Sequence, residues 1–230
     1  VHELRRTIID RFGPSSGGAP PMSVRLVSFG FKYGAPMDAD VVLGNLETVL
    51  ADGSGAGTKC AGRTACFAFR APPQYARLLS GAGFTVLNLA NNHSYDFGPA
   101  GLAQSAAALR RARLSSTGRP GEIAVQNVGP VRVAIVGFAP HPGAQDLRDI
   151  PAAQRLVREA AMRADLVVVT MHAGAEGSDA EHVRPGVETY EGENRGDVVA
   201  FSHAVVDAGA ELVLGHGPHG LRPMEWYRGR

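Results

Sequence analysis

The sequence predicts an α/β fold layered around a largely buried sheet, and three observations carry that prediction. From residue 41 onward, apolar runs rich in β-branched residues alternate with helical patterns, the rhythm of a layered α/β domain. Those runs mostly lack polar alternation, as strands covered on both faces do. Hydrophobic residues make up 44% of the 230, ample for one sizeable core.

Taken in order, HELRRTIIDRF (2–12) places Leu4, Ile8, Ile9 and Phe12 at a helical period and predicts a helix. The stretch GPSSGGAPP (13–21) follows as a linker with nothing to pack. VRLVSFGF (24–31) predicts a strand. Further strands are expected at VVLG (41–44), TVLNLA (85–90), VRVAIVGFA (131–139), DLVVVTMH (165–172) and ELVLGH (211–216). Helices are expected at PPQYARLLSGAG (72–83), PAGLAQSAAALRRARL (99–114), AAQRLVREAAMRA (152–164) and DVVAFSHAVVDAGA (197–210). No repeat of solenoid length is present.

Charge points to no class of partner. Twenty-three Lys and Arg against twenty-two Asp and Glu give a formal charge of +1, so no electrostatic footprint points to nucleic acid or to an anionic membrane. No apolar run approaches the ~20 residues that span a bilayer, and no signal peptide opens the chain at Val1 and His2. As it stands the chain is therefore expected to be soluble. Cys60 and Cys66 lie in the Gly-rich stretch GTKCAGRTACF. Two readings are open: a loop disulfide, which leans extracytoplasmic, or two free thiols. The spacing does not suit a zinc site.

Polar residues gather after the strand runs, where an open α/β sheet presents its ligand crevice. Gly44-Asn45-Leu46-Glu47 follows the first; Asn91-Asn92-His93, with Asp96 and Gly98, follows the second. His172, Gly174 and Glu176 follow the fourth, and His216 with Gly217-Pro218-His219 the fifth. Imidazole, amide oxygen and carboxylate together suit a divalent transition metal: Zn, Mn or Fe. Each residue alone also has a plain reading, the asparagines as turn formers and a single His as a hydrogen-bonded loop residue. Four of the eight histidines fall just past these strands; His2, His141, His182 and His203 do not. His203 reads as structural, and His141, between two prolines, as loop decoration.

GNLET, LANNHSYDFGPAGL, VVVTMHAGAEG, GENRGD and DAGAELVLGHGPHGLRPMEWYRG, in that order over about residues 40 to 230, resemble the CapA family of capsule and poly-γ-glutamate synthesis proteins. The domain of that family is similar to calcineurin-type metallophosphoesterases. The resemblance implies an α/β/β/α sandwich, incomplete here at both ends because relatives continue past Tyr227-Arg230. It implies one or two divalent ions, an anionic polymer or phosphoester substrate, and partners in the capsule synthesis machinery. It places the parent protein outside the cytoplasm or at the membrane, whereas this chain, with no signal, would be cytoplasmic.

Residue by residue, the resemblance puts Asn45 or Glu47 at the bridging acidic ligand. Asn92 matches the amide ligand and His93 the histidine that protonates a leaving group. His172 matches the next histidine ligand; His216 and His219 match the terminal pair, with two residues between them where the pattern usually has one. Glu176 and Arg195 lie in stretches typical of CapA relatives. Arg195 reads either as a planar fork for an anionic substrate or as an ion pair with Glu193 or Asp197.

One motif is missing. CapA relatives open on a strand ending in Gly-Asp, which supplies the first metal aspartate. Here VHELRRTIIDRF and VRLVSFGFKYGAPMDADVV resemble the RapZ-type nucleotide-binding RNase-adapter family instead. That suggests a chimera joined near residues 38 to 42, with a RapZ-like piece over 1–40 and a CapA-type domain over 41–230. Asp38 and Asp40 are the nearby substitute carboxylates. Three functions follow: a metal-dependent hydrolase-like domain; a non-catalytic assembly or anionic-polymer-binding module; and a nucleotide or sugar-phosphate binder. The last is disfavoured by the absence of GxxxxGK[ST].

Overall fold

The computed structural model describes residues 5–10, 23–29, 39–53, 58–62 and 66–230. Along the chain these form β1 (Arg5–Asp10), β2 (Ser23–Phe29), β3 (Val41–Asn45), β4 (Val49–Leu50), β5 (Arg70–Ala71), α1 (Ala76–Gly81), β6 (Val86–Asn88) and α2 (Gly98–Arg111). Next come β7 (Ser115–Thr117), β8 (Ala124–Val128), β9 (Val131–Phe138), α3 (Ile150–Arg163) and β10 (Leu166–His172). The remainder is β11 (Glu188–Tyr190), β12 (Glu193–Gly196), α4 (Val198–Asp207) and β13 (Leu212–His216).

One sheet runs β1-β2-β3-β6-β7 and another β13-β10-β9-β8. Three apolar clusters show how they stack. Val41, Leu43 and Val86 of the first sheet meet Val133, Ile135, Leu166, Val168 and Leu214 of the second, so the sheets pack face to face. Leu87 and Leu89 on the other side of the first sheet meet Leu102, Ala106 and Leu109 of α2. Ala134, Val136, Val167 and Val169 on the far side of the second sheet meet Leu156 and Val157 of α3 and Phe201 and Val205 of α4. The result is four layers, α/β/β/α. Within β9 and β10 successive residues alternate between the opposing sheet and the helices, which is why no polar alternation shows. Phe138 and Phe201 meet edge to face with ring centroids 5.2 Å apart, and both are fully buried.

All four predicted helices from residue 72 onward are present. Asp149 accepts a hydrogen bond from the Ala152 amide at 3.0 Å and Asp197 one from Ala200 at 2.9 Å, capping α3 and α4. The N-terminal expectation is corrected. Residues 5–10 are not a helix but β1, antiparallel to β2, with Arg5 opposite Ser28 and Asp10 opposite Ser23. Thr7, Ile8 and Ile9 are three consecutive β-branched residues, stiff at χ1 and suited to a strand; a neighbouring strand outweighed the apolar spacing. β2 in turn runs parallel to β3, filling the sheet position beside it. The linker over 13–21 and Asp38 lie outside the described residues.

Register then builds the site. Asn45, at the end of β3, is the partner of Asn88 in β6, and His172, at the end of β10, is the partner of His216 in β13. The two sheets approach so closely here that a side chain at Gly137 would collide with Asn88 Oδ1, and one at Gly118 with Ala90 and the same oxygen.

Candidate functional site

Asn45 is the hub of the crevice. It is 8% exposed, and both ends of its amide are engaged. Oδ1 accepts from Asn88 Nδ2 and Asn91 Nδ2, each at 3.2 Å. Nδ2 lies 3.2 Å from His172 Nδ1 and 3.4 Å from Glu47 Oε2. Asn91 is equally committed: its Nδ2 also reaches the Leu46 carbonyl at 3.0 Å, and its Oδ1 accepts from the His93 amide at 3.0 Å. Both asparagines therefore position their neighbours. Asn92 differs, since its Oδ1 is buried with no hydrogen-bond partner among the described residues.

His172 is 1% exposed. Its Nε2 is buried without a hydrogen-bond partner and stands 3.8 Å from Glu47 Oε1. Burial pushes this imidazole well below its ordinary pKa, and His141, His216, Arg195 and His219 push the same way. Burial pushes the Glu47 carboxyl up; His219 and His93 oppose that, Glu176 adds to it and Lys59 opposes it. His219 acts on both residues. The Gly217 backbone closes one wall: a Cβ there would lie 3.3 Å from His172 Nε2.

His93 forms a second focus. Its Nδ1 is 2.8 Å from Asp96 Oδ2, so the carboxylate orients the ring. Lys59 Nζ lies 3.3 Å from Asp96 Oδ1 and donates to the Asn92 carbonyl at 2.8 Å. The Phe69 ring packs on the imidazole with centroids 4.3 Å apart.

A third group sits at the rim. Arg195 is 4% exposed; its guanidinium reaches Glu176 at 3.3 Å, stands 3.2 Å from Glu193 and lies over the Tyr190 ring at 5.3 Å. Asp197 is occupied in capping α4, so the Asp197 pairing is set aside while the Glu193 pairing is present. His219, whose side chain is 66% exposed, is 3.9 Å from Glu176 and adopts φ 58°. His216 faces His172 in register, and its carbonyl accepts from the Ala173 amide at 3.0 Å. Both histidines of the expected terminal pair lie close enough to His172 to act on it electrostatically, and His219 acts on Glu47 as well. Cys60 and Cys66 are joined by a disulfide. Asp40 immediately precedes β3, a full strand of roughly 16 Å from Asn45, so it is at the wrong end to replace a missing ligand.

Four contributors escaped the sequence reading. Asp96 was noted but given no task, although its spacing from His93 was the available signal. Asn88 and Lys59 carried no local signal. His141, expected to decorate a loop, sits with its ring centroid 6.1 Å from that of His172 and its Nε2 buried without a partner. Burial, then Arg195, Lys59, Arg148 and His93, lower its pKa to about 3.

Among the described residues, no group of three or more His, Cys, Asp or Glu side chains is disposed to hold a metal ion. Two donors about 2.1 Å from one tetrahedral ion stand roughly 3.4 Å apart; His172 Nε2 and Glu47 Oε1 are at 3.8 Å, a spacing that suits one ion between that pair. Asn92 Oδ1 is likewise buried without a hydrogen-bond partner.

An α/β/β/α sandwich with amides, imidazoles and carboxylates at the C-terminal ends of its parallel strands defines an α/β domain with one polar strand-end crevice. Residues 35–230 match the family of the bacterial capsule synthesis protein PGA_cap, and the chain belongs to that family. It is 34% identical over 168 residues to the capsule biosynthesis protein CapA of Bacillus anthracis, covering 64% of this chain and 38% of that protein. It is 33% identical over 220 residues to a probable polyglutamine synthesis accessory protein of Mycobacterium tuberculosis, covering 83% and 53%. The chain thus spans about half or less of these relatives. A separate match of 42 residues, 54% identical, is to a nucleotide-binding protein of Sorangium cellulosum, covering 18% of this chain and 12% of that protein. Among the described residues no helix is long and apolar enough to cross a membrane.

Proposed function

We propose that this chain is a CapA-like domain acting in capsule or poly-γ-glutamate assembly, with a metal-assisted, phosphoesterase-type hydrolytic site in the strand-end crevice. The observation that supports it most is the buried, unpartnered Nε2 of His172 opposite Glu47; coordination there requires the ring proton on Nδ1, with the Asn45 amide turned to accept it. An unsatisfied buried polar atom costs about 1–3 kcal/mol, a cost that a ligand at that position removes. His172, Glu47 and the Asn92 amide oxygen would hold the ion; Asn45 orients two of them. A bound Mn, Fe or Zn ion would activate a water and polarise a phosphoryl or acyl oxygen. His93, held by Asp96 through Nδ1, presents Nε2 to give a proton to the leaving oxygen. Lys59 and Arg195 bring positive charge to an anionic substrate, and His219 an exposed imidazole beside them.

We read residues 1–40 as a RapZ-like piece joined to the CapA-type domain of 41–230, a reading that the 42-residue match supports. β2 (SVRLVSF) contains no Asp or Glu, so the aspartate of the first metal motif is lacking and hydrolysis is expected to be weaker than in an intact relative. A second reading has one observation in its favour: the buried Arg195 beside Glu176 and the exposed His219 make a rim suited to holding an anionic polymer without cleaving it.

Metal content of the purified chain, with turnover of a bis-aryl phosphodiester, separates the two. Bound Mn, Fe or Zn that H172A and E47Q lose, with turnover lost in step, supports hydrolysis. Metal content unchanged in H172A removes the metal site; unaltered polyglutamate binding in that variant leaves the polymer-holding reading.

A further inference from the structure

The Cys60–Cys66 bridge closes a ring whose two shoulders both grip the His93–Asp96 pair. On one side Lys59, adjacent to Cys60, makes three contacts: its amide donates to the Asp96 carbonyl at 3.2 Å, and its Nζ reaches Asp96 Oδ1 at 3.3 Å and the Asn92 carbonyl at 2.8 Å. Nζ is also 3.5 Å from His93 Nδ1. On the other side Phe69, three residues beyond Cys66, donates its amide to Asp96 Oδ2 at 2.7 Å and lays its ring on His93. Phe67 stacks outside Phe69 at 6.4 Å and is 74% exposed. Asp96 is fully buried, and the Lys59 ammonium and Phe69 amide that meet its carboxyl oxygens come from the two sides of this ring.

Besides the bridge, the described contacts that fix Lys59 relative to Phe69 run through the segment 92–96 that both hold and through the short β4–β5 pair. Val49 of β4 donates to the Phe69 carbonyl at 3.1 Å, anchoring only the second shoulder. Opening the bridge therefore frees the Lys59 side first.

We propose that the Cys60–Cys66 disulfide is a redox-sensitive clamp: oxidised, it presses Lys59 and Phe69 onto the His93–Asp96 dyad; reduced, it releases them and the imidazole loses its fixed orientation. Reduction by a dithiol balances directly, since two electrons and two protons convert the S–S bond into two thiols while the dithiol closes into its own disulfide. Lys59 acts here as a positioning residue through Asp96. The consequence for turnover rests on the reading of His93 as the proton donor; the clamp itself does not.

Imidazole ¹H–¹⁵N spectra of the oxidised chain, before and after dithiothreitol, test it, with His93 assigned through H93Q. Reduction is expected to shift or broaden the His93 resonances and leave those of His203, on α4, in place. C60S/C66S should reproduce the reduced spectrum without reductant, and K59M should move His93 in the oxidised chain where K59R does not. If the metal site is also real, kcat falls roughly 10- to 100-fold on reduction with metal content unchanged. His93 resonances that coincide in the oxidised, reduced and K59M samples overturn the clamp. A chain that binds no metal yet shows the redox-dependent His93 shift overturns the hydrolase reading alone.

Discussion

Asn45 Nδ2 stands 3.2 Å from His172 Nδ1, although the two residues are 127 positions apart and end strands of different sheets. That contact joins the halves of the crevice: Asn88, Asn91 and Glu47 approach Asn45 from the first sheet, while His172 brings the second. Its donor and acceptor groups are all spent inside the protein, so Asn45 is better suited to aligning ligands than to being one.

Replacing Asn45 should therefore disturb stability and site together. Asn45→Ala strips partners from two buried amide groups and one imidazole nitrogen, and each buried group left unpaired costs about 1–3 kcal/mol. We expect a loss of about 2–4 kcal/mol in urea unfolding, with the m-value unchanged. E47A, at a half-buried side chain, should cost less than 1 kcal/mol while abolishing metal uptake. Equal stability of N45A and the parent would show that the amide network does not support the fold.

Acid should destabilise the chain through its buried imidazoles. In the fold His141 titrates at about 3 and His172 well below its usual value, whereas both take protons near 6.5 when unfolded. As pH falls through 6.5 the unfolded chain binds protons that the folded chain refuses, so stability is lost from about pH 6.5 down to the folded values. His141 alone contributes about 2–3 kcal/mol of that loss by pH 4.5. The raised Glu47 carboxyl works the other way, over a window just above 4.5. Thermal melts between pH 7 and 4.5 should show a steep decline that H141N makes shallower; an unchanged slope in H141N would remove His141 as a source.

The central part of the fold was legible because the strands of both sheets are marked on both faces. Val133 to Val136 and Leu166 to Val169 alternate between a sheet and a helix layer, and either partner demands an apolar side chain. β7 (SST) and β8 (AVQNV) gave no such signal, being short or half-exposed edge strands. Residues 5–10 misled because Leu4, Ile8 and Ile9 also fit a helical period, and only strand pairing decided between them. In the site, strand-end position located His93, His172 and His216. It could not locate His141, whose loop is brought beside His172 by the parallel pairing of β9 with β10, nor Asn88, which reads as one more residue of a buried strand.

A methyl group at position 137 should open the crevice without touching it. The Cβ of Gly137→Ala would fall on Asn88 Oδ1, and Asn88 is what Asn45 accepts from at 3.2 Å. Sheet backbone on both sides prevents either partner from moving freely, so overpacking of about 1–3 kcal/mol is expected. Gly81→Ala, where a Cβ would meet nothing within 4 Å and φ is ordinary, is the control. The check is a pair of calorimetric melts plus metal content: G137A should lose both stability and metal, G81A neither.

Metal should stabilise the fold by an amount set by its affinity. An ion that binds only the folded chain adds RT ln(1 + [L]/Kd), about 2.7 kcal/mol at one hundred times Kd, and for a domain of this size each kcal/mol raises Tm by about 2–4 °C. Stripping with a chelator and restoring Zn or Mn should therefore move Tm by roughly 5–10 °C, saturating at one ion per chain. Because His172 Nε2 and the Asn92 oxygen, both buried without hydrogen-bond partners, are the atoms proposed to meet the ion, H172A and N92A should each flatten that response, whereas H203A should preserve it. A parent chain whose Tm ignores both chelator and added ion would leave those atoms unsatisfied for another reason, and the hydrolytic reading would go with them.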